Sequence, residues 1–531
     1  MSTAHTLDPY AAAALNGTRR AHELAALQNS EVDLIIIGGG ITGVGIALDA
    51  ASRGLSTVLL EKHDLAFGTS RWSSKLAHGG LRYLTKLQVG IAHNSAVERG
   101  VLMSHTAPHL VRALPQVAAL GADTTVVQKI AMRAGFLAGD ALRITAGTSA
   151  TVLPRSHYAS PRKTRELCPA VSPLKLRGAW VNYDGQMIDD ARVVTALART
   201  AAEAGATILT YCDVREATGD SVEVHDRESG ETFSLRAQAV IAATGVWVAQ
   251  HDRKIKVRPS RGTHIVVDAD TLGNPTGALT VPLEGSISRY LFILPEQHNR
   301  CYIGLTDEES PGAIPDVPPT PEEDITFLLD GVNRALDLHL QRSDVRAAFT
   351  GLRPLIDDGT GAATADLSRR HAILEADSGL ISVTGGKFTE YRLMAEETLD
   401  YVIARRNLHP TKGCHTKELA FVGAPAHAAS AGVSDYELSQ IPPCIVHRFG
   451  AEAVNVVAHC PVARPLEFLP GFDVTRAEVA YAFSHEGALY PENVVDRCTR
   501  IGLVPADRQR ALPLIADIAT EMGIDAQQQS A

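Results

Sequence analysis

Three glycines near the start of the chain have the spacing of a phosphate-binding turn. Gly38, Gly40 and Gly43 form G-x-G-x-x-G between the apolar run VDLIII and the helix-like stretch ITGVGIALDAAS. Such glycines allow a tight turn, let a pyrophosphate approach the backbone and let helix and strand pack closely. Glu61, about 20 residues further on, could accept hydrogen bonds from ribose hydroxyls. The pattern predicts a dinucleotide site; a glycine-rich turn without a ligand is the alternative.

The sequence after Glu61 favours FAD over NAD. Instead of another βαβ unit the chain enters the polar loop HDLAFGTSRWSSKLAHGG, whose hydroxyls suit a flavin pyrophosphate and ribityl chain. Two later apolar runs also end in glycine turns, at Gly245 and at Gly386. The residues predicted to contact FAD are Gly38, Gly40, Ile41, Thr42, Gly43, Glu61, Lys62, Thr69, Ser70, Ser73, Ser74, Lys75, Leu76, Gly79, Gly80, Val214, Ala243, Thr244, Gly245, Gly386, Lys387 and Thr389.

These motifs require parallel strands that alternate with helices. The fold predicted is α/β: an FAD-binding Rossmann-like domain of the glutathione-reductase and D-amino-acid-oxidase type, a mixed β-sheet substrate domain and a helical C-terminal domain. The substrate sheet is indicated by RGTHIVVD and RYLFILPE, which alternate without an intervening helix. The predicted boundaries are an N-terminal helical extension (1–30), a discontinuous FAD-binding domain (31–100, 185–255 and 345–408), a substrate-binding domain (101–184 and 256–344), a linker (409–425), a helical C-terminal domain (426–522) and a disordered tail (523–531).

Composition excludes several classes of protein. The 531 residues carry a net charge of −10, which argues against nucleic acid as a partner. The seven cysteines are scattered without a C-x-x-C pair, as expected of reduced thiols in the cytoplasm, and no metal site is predicted. No secretory signal and no apolar run of ~18 residues is present, so we expect a cytoplasmic protein.

Seven stretches, taken in order, resemble the aerobic bacterial kind of FAD-dependent glycerol-3-phosphate dehydrogenase. They are DLIIIGGGITGVGIALDAASRGLSTVLLEKHDLAFGTS, SSKLAHGGLRYL, YDGQMIDDAR, RGTHIVV, GLTD, GLRPLIDD and VTGGKFTEYR. The resemblance implies oxidation of sn-glycerol 3-phosphate to dihydroxyacetone phosphate, with hydride passing from C2 to FAD and electrons passing to a membrane quinone. It also implies attachment to the inner face of the cell membrane. Whether the chain forms a homodimer is left open.

A phosphorylated substrate requires clustered cations, because a desolvated dianion must be paired. The residues predicted to bind it lie beside glycines or turns and are Arg82, Tyr83, Arg353, Arg369 and Lys387. For each cation a solvated charge or a structural ion pair is the alternative. Arg369 departs from the family pattern, because Arg370 and His371 follow it where an acidic and then an aromatic residue are usual.

The implied reaction also requires a base for the C2 hydroxyl, for which histidine is suited near neutral pH. Two histidines have a relevant context: His78 precedes the Gly79–Gly80 hinge, and His264 lies in RGTHIVV. Either could instead be structural. With Arg353 they make up the predicted catalytic set.

Three alternatives to a quinone-linked dehydrogenase follow from the same residues. They are a glycerol-3-phosphate oxidase that releases peroxide, an amine or amino-acid oxidase of the same fold, and a non-enzymatic nucleotide-binding module. The stretch KIAMRAGFLAGDALR, residues 129–143, could lie on an anionic membrane or could be an ordinary amphipathic helix.

Overall fold

The structure, a computed structural model, describes residues 8–27, 31–84, 88–122, 124–174, 176–252, 254–282, 290–336, 338–357 and 370–525. The strands, in chain order, are β1 (Glu31–Ile37), β2 (Thr57–Leu60), β3 (Leu76–Ala77), β4 (Val111–Ala119), β5 (His157–Ala159), β6 (Ala179–Met187), β7 (Thr207–Leu209), β8 (Cys212–Ala217), β9 (Ser221–Asp226), β10 (Thr232–Ala242), β11 (Val257–Asp268), β12 (Ala278–Pro282), β13 (Tyr290–Glu296), β14 (Arg300–Gly304), β15 (Glu308–Glu309), β16 (Ala347–Ile356), β17 (His371–Glu375) and β18 (Ile381–Gly385).

The helices surround two sheets and also form the C-terminal part. They are α1 (Gly17–Leu27), α2 (Ile41–Ser52), α3 (Leu81–Leu84), α4 (Val89–Val101), α5 (Val126–Thr145), α6 (Pro161–Leu167), α7 (Asp190–Glu203), α8 (Glu322–Leu336), α9 (Tyr391–Arg406), α10 (Asp435–Ser439), α11 (Pro443–Phe449), α12 (Ala453–Ala458), α13 (Arg476–His485), α14 (Pro491–Asn493) and α15 (Pro505–Glu521). None of the helices in the described ranges is both long and apolar enough to cross a membrane.

The first sheet has a parallel centre in the order β18-β10-β1-β2-β7, with β17 antiparallel at one edge. Strand β9 also pairs antiparallel with β10, and β8 pairs with β9. Leu34, Ile35 and Ile36 on β1 are fully buried, as expected of a strand covered on both faces. Because β1, β2, β10 and β18 run in the same direction, the turns that follow them meet at one edge. The predicted α/β fold class is confirmed here.

The second sheet has the order β15-β11-β14-β13-β12-β4-β6-β3, with β16 beside β11 and β5 beside β6. This pairing places two strands, β16 and β3, in the second sheet, although the sequence assigned both to the FAD-binding domain. Strand β16 lies inside the segment assigned to the FAD-binding domain, yet it pairs antiparallel with β11 along ten residues, from Val257↔Ile356 to Val266↔Ala347. Strand β3 likewise pairs with β6 of this sheet. An apolar strand suits either sheet, so long-range pairing rather than local pattern decides its place.

The C-terminal helices are joined to the rest of the protein by buried charges. The ion pairs that make this junction are Arg192–Glu486, Arg199–Glu452, Arg497–Asp64 and Arg500–Asp189. The segment predicted to be a linker is also packed: Phe421 and Val422 are buried, and the amide of Val422 donates to Thr200. Residues 421–424 of the predicted linker are therefore part of the core that joins the two regions, whereas residues 411–413 are exposed.

Candidate functional site

A cavity of about 1470 Å³ lies between the two sheets. Its lining includes the turns after β1, β2, β10 and β18, together with side chains of β6, β11 and β16. Two of the predicted residues, Gly43 and Lys75, are not part of this lining. The predicted residues that line it are Gly38, Gly40, Ile41, Thr42, Glu61, Lys62, Thr69, Ser70, Ser73, Ser74, Leu76, His78, Gly79, Gly80, Tyr83, Val214, Ala243, Thr244, Gly245, His264, Arg353, Gly386, Lys387 and Thr389.

The side chains of two predicted substrate contacts, Arg82 and Arg369, lie outside the described part of the structure. Arg369 lies outside the described residues, and only the backbone of Arg82, in α3, is described. Both remain predictions from the sequence.

The glycine turn after β1 is too tight for side chains. Gly38 has φ +111°, and a Cβ there would lie 2.7 Å from the carbonyl oxygen of Ala243. A Cβ on Gly43 would lie 2.0 Å from the carbonyl oxygen of Gly38. The role of Gly43 is therefore in packing: because it has no Cβ, α2 can pack directly against the turn.

The N-terminus of α2 opens into the cavity, where its N–H groups favour an anion. Ser70 Oγ accepts a hydrogen bond from the amide of Ile41 at 3.0 Å, which fixes the polar loop against this helix end. Thr244 Oγ1 is buried at the cavity wall and has no hydrogen-bond partner among the described residues. A phosphate-bearing ligand with further polar groups, such as FAD, fits this combination of a bare helix end and an unpartnered hydroxyl.

Glu61 is held rigidly at the end of β2. Its Oε2 accepts from the amide of Gly39 at 2.6 Å, and its Oε1 accepts from the amide of His63 at 2.8 Å. Burial raises the pKa of the Glu61 carboxyl, although these two N–H groups oppose the shift. Each carboxylate oxygen has a further lone pair, so the group can still accept from a ribose hydroxyl.

Lys75 supports the polar loop from behind. Its fully buried ammonium donates to Asp190 Oδ2 at 2.8 Å and to the carbonyl oxygen of Arg71 at 3.0 Å. The same Asp190 oxygen accepts from the amide of Ser73 at 2.9 Å. Because the charge of Lys75 is directed at Asp190, this residue is a support for Ser73 and Ser74 rather than part of the cavity wall.

The Gly79–Gly80 hinge packs tightly against α4. A Cβ on Gly79 would lie 2.0 Å from Arg99 Nη1, and a Cβ on Gly80, where φ is +80°, would lie 2.8 Å from the Cα of Ala92. The two glycines therefore have a packing requirement of their own, in addition to lining the cavity.

His78 forms a hydrogen-bonded chain with two residues at the cavity wall. Its Nδ1–H donates to Asp184 Oδ2 at 3.1 Å, and Asp184 Oδ1 accepts from Arg99 Nη1 at 2.8 Å and from the amide of Gly79 at 3.1 Å. Burial alone would raise the pKa of the Asp184 carboxyl, but the charge of Arg99 and the hydrogen bond from His78 outweigh it, and the pKa is lowered. Asp184 is therefore ionised at neutral pH.

His264 is buried, whereas the side chain of His78 is half exposed. Only 1% of His264 is accessible, its Nε2 is hydrogen-bonded with Ser74 Oγ at 2.9 Å, and its ring stacks on Phe349. Burial, together with the positive charges of Lys75 and Arg353, lowers the pKa of His264 to about 3. The ring is therefore neutral across the physiological range.

Arg353 extends from β16 and is held by polar groups. Its Nη1 donates to Ser260 Oγ at 3.1 Å and to Asp307 Oδ1 at 3.2 Å. A Cβ on Gly262 would lie 2.4 Å from Arg353 Nη2, so the glycine leaves the room that the guanidinium fills.

Lys387 follows the glycine turn after β18 and is paired within the protein. Its Nζ donates to Ser95 Oγ at 2.6 Å and to Glu390 Oε1 at 2.5 Å. The ammonium also lies over the ring of Tyr83, 4.2 Å from the centroid. The structure thus brings two predicted substrate residues, Tyr83 and Lys387, into direct contact.

Several site residues were not singled out from the sequence. Asp184, Asp307 and Glu390 belong to the stretches YDGQMIDDAR, GLTD and VTGGKFTEYR, so a carboxylate search within those motifs would have found them. Ser95 and Arg99 lie on α4, in no recognised motif, and only the fold brings them to the site. Within the described ranges no group of histidine, cysteine and carboxylate side chains could hold a metal ion.

Comparison with known proteins agrees with this arrangement. The family model "FAD dependent oxidoreductase" matches residues 33–392, and the model "C-terminal domain of alpha-glycerophosphate oxidase" matches residues 414–529. Glycerol-3-phosphate dehydrogenase 1 of Mycobacterium tuberculosis is 54% identical over 505 residues, which are 94% of this chain and 97% of that protein. The chain belongs to the FAD-dependent glycerol-3-phosphate dehydrogenase family. FAD is its cofactor, as the sequence predicted.

More distant members of this dehydrogenase family extend the match. The mitochondrial glycerol-3-phosphate dehydrogenase SDP6 of Arabidopsis thaliana is 31% identical, and the match covers 96% of this chain and 86% of that protein. The crystal structure of glycerol-3-phosphate dehydrogenase from Bacillus halodurans, complexed with FAD, superposes with a TM-score of 0.71 at 25% identity, covering 97% of this chain and 100% of that one.

Proposed function

We propose that this protein oxidises sn-glycerol 3-phosphate to dihydroxyacetone phosphate with FAD and passes the electrons to a quinone. One observation carries the proposal: Arg353, Lys387 and His78 line the same cavity as the glycine turn of the cofactor site. Two cations and a histidine facing a flavin site provide the groups that oxidation of a phosphorylated alcohol requires. Relatives that bear the name glycerol-3-phosphate dehydrogenase support the choice of substrate.

His78 is the proposed base. Its Nδ1–H is engaged with Asp184, so the neutral ring presents Nε2 as the acceptor for the proton of the C2 hydroxyl. As that O–H bond breaks, its electron pair forms the second bond of the C2 carbonyl, and the hydrogen on C2 leaves with the electron pair of the C2–H bond. FAD, when bound, supplies the acceptor for this hydride.

His264 is proposed to act as a neutral wall of the substrate site. With a pKa of about 3, its imidazole is a far weaker base than an ordinary histidine. The hydrogen bond with Ser74 and the stacking on Phe349 hold the ring in one orientation. It can therefore shape the site without adding charge to it.

Arg353 and Lys387 are the proposed phosphate ligands, with Arg82 and Arg369 as further candidates from the sequence. Each of the first two has a carboxylate partner within the protein, Asp307 and Glu390 respectively. A phosphate dianion carries more charge than either carboxylate, so it can bind to both cations beside or in place of these partners.

Anaerobic reduction of the bound flavin tests the substrate. The flavin of the purified protein should bleach on addition of sn-glycerol 3-phosphate, while glycerol at the same concentration should bleach it far more slowly. Bleaching by amino acids and not by glycerol 3-phosphate would replace the proposal with an amino-acid oxidase.

The surface around α5 supports an acceptor in a membrane. Val126, Ile130, Leu137 and Ile144 on α5 are exposed, and so is Leu174 later in the same region of the chain. Although the whole chain has a net charge of −10, residues 124–174 contain more bases than acids. Besides the buried Arg143, the bases are Lys129, Arg133, Arg155, Arg162, Lys163 and Arg165, and the acids are Asp140 and Glu166. Exposed apolar side chains beside a basic surface are suited to an anionic bilayer.

Two measurements test the acceptor. Substrate-reduced protein should be reoxidised by a soluble quinone faster than by oxygen, whereas stoichiometric peroxide would identify an oxidase. In flotation with phosphatidylglycerol-containing vesicles, V126D/I130D should bind less than the parent. Tyr436→Asp is the control, because Tyr436 is equally exposed but lies in the C-terminal part. Equal flotation of all three proteins would remove α5 from the proposal.

A further inference from the structure

We infer that Asp184 is a positioning residue for His78, an inference that rests on the proposed function. Asp184 lies on β6, and its two oxygens have separate tasks. Oδ2 accepts from His78 Nδ1, while Oδ1 accepts from Arg99 on α4 and from the amides of Gly79 and Gly185. One oxygen is thus anchored by donors from three parts of the chain, and the other is left to orient the imidazole.

This arrangement determines which ring nitrogen carries the proton. A carboxylate is an acceptor only, so Asp184 selects the tautomer of His78 that is protonated at Nδ1 and leaves Nε2 free to accept. The ionised state needed for this is secured by Arg99, whose side chain is only 6% exposed and whose Nη1 lies 2.8 Å from Asp184. The resulting order, Arg99 to Asp184 to His78, resembles the orienting carboxylate of a hydrolytic triad in logic and not in reaction.

Replacing Asp184 with asparagine changes which nitrogen of His78 is protonated while it leaves the volume of the Asp184 side chain almost unchanged. In Asp184→Asn the side chain has nearly the same volume, but its amide can donate to Nδ1 and so favour the tautomer protonated at Nε2. That tautomer cannot accept the substrate proton at Nε2. The limiting rate of flavin reduction should therefore fall while affinity for the phosphate-bearing substrate is preserved.

The test uses the FAD-loaded protein under anaerobic conditions. Stopped-flow reduction by sn-glycerol 3-phosphate gives a limiting rate and an apparent Kd for the parent, D184N, H78Q and D184N/H78Q. We expect D184N to lower the limiting rate by about 10- to 100-fold, with the apparent Kd changed by less than about threefold. In the H78Q background the same substitution should cause no further loss, because its effect passes through His78.

Asp49→Asn is the matched control. Asp49 on α2 is buried and pairs with Arg53, just past the end of that helix, so this variant also removes a buried Asp–Arg pair, but it does so away from the cavity. Its limiting rate should match that of the parent. If D184N and H78Q are additive, or if D184N raises Kd at an unchanged rate, Asp184 does not position His78. If the parent itself is not reduced, the proposed function fails and this inference fails with it.

Discussion

The ammonium of Lys387 lies 2.5 Å from the carboxylate of Glu390, and the same carboxylate oxygen accepts from Ser95. The cation proposed to bind the substrate phosphate is therefore paired within the protein. This pairing lowers the cost of burying Lys387 and keeps its side chain directed across the ring of Tyr83. On the proposed function, a phosphate group would compete with Glu390 for the same ammonium, which would favour dianions over weaker ligands.

Loss of Lys387 should therefore weaken the phosphate contact specifically. In Lys387→Met we expect the apparent Kd for sn-glycerol 3-phosphate to rise about 10- to 100-fold, since a hydrogen bond to a charged group contributes about 1.5–3 kcal/mol. The slow reduction of the flavin by glycerol, which has no phosphate, should change little. Both are measured by anaerobic flavin reduction.

The control for this variant is Lys254→Met. Lys254 is exposed and pairs with Asp377, so the Lys254→Met variant removes the same charge from the protein surface. Its Kd should match that of the parent. A Kd unchanged by Lys387→Met would show that the phosphate binds elsewhere.

The low pKa of His264 should make folding stability depend on pH. Burial and the charges of Lys75 and Arg353 lower that pKa to about 3, whereas an unfolded histidine has a pKa of about 6.5. As pH falls from 6.5 towards 3, the unfolded chain binds a proton that the folded chain does not, so stability is lost through this window. Above pH 7 both states are neutral and the contribution vanishes.

His264→Gln should remove this dependence. Between pH 7 and pH 5 the parent should lose about 2 kcal/mol more unfolding free energy than the variant, measured by urea denaturation at a series of pH values. His409→Gln serves as the control, because His409 is exposed. Parallel profiles for the parent and His264→Gln would mean that folding does not lower the pKa of His264.

The turn between β1 and α2 should not tolerate a methyl group. In Gly43→Ala the new Cβ would lie 2.0 Å from the carbonyl oxygen of Gly38, so α2 must move away from the cofactor turn. We expect a loss of about 1–3 kcal/mol in stability and a lower flavin absorbance per protein after purification. Gly90→Ala is the control: a Cβ there meets no described atom within 4 Å, and alanine favours the helix. Full flavin content in Gly43→Ala would contradict the close approach.

The cofactor and the fold class could be predicted from the sequence, because both depend on short local motifs. The glycine spacing, Glu61 and the glycine turn after β18 led to FAD and to the fold class, and both are confirmed. The proposed roles of His78, His264 and the cations stay predictions. The sequence could not predict Arg99, because a helix residue in no motif reaches the site only through packing under Gly79. For the same reason it could not tell that Lys75 is directed at Asp190 and away from the cavity, or that β16 joins the second sheet.

The buried pair Arg497–Asp64 should stabilise the FAD-binding and C-terminal parts as one unit. Arg497 is fully buried, and its Nε donates to Asp64 Oδ2 at 2.6 Å while its Nη1 donates to Thr195 Oγ1 at 3.1 Å. In Arg497→Met, Asp64 keeps a buried charge without this partner, which should cost about 3–5 kcal/mol. We expect a lower thermal midpoint and FAD release at the same temperature, since Asp64 lies in the loop that follows β2.

Two further variants identify the cause of that loss. Arg405→Met removes an exposed arginine that pairs with Glu375 on the protein surface, and it should change stability by less than about 1 kcal/mol. Adding Asp64→Asn to Arg497→Met removes the uncompensated charge and should recover part of the lost stability. If the double variant is no more stable than Arg497→Met, the cost arises from lost packing of the arginine side chain and not from the charge of Asp64. If FAD remains bound above the unfolding temperature of the C-terminal helices, the two parts are stabilised independently.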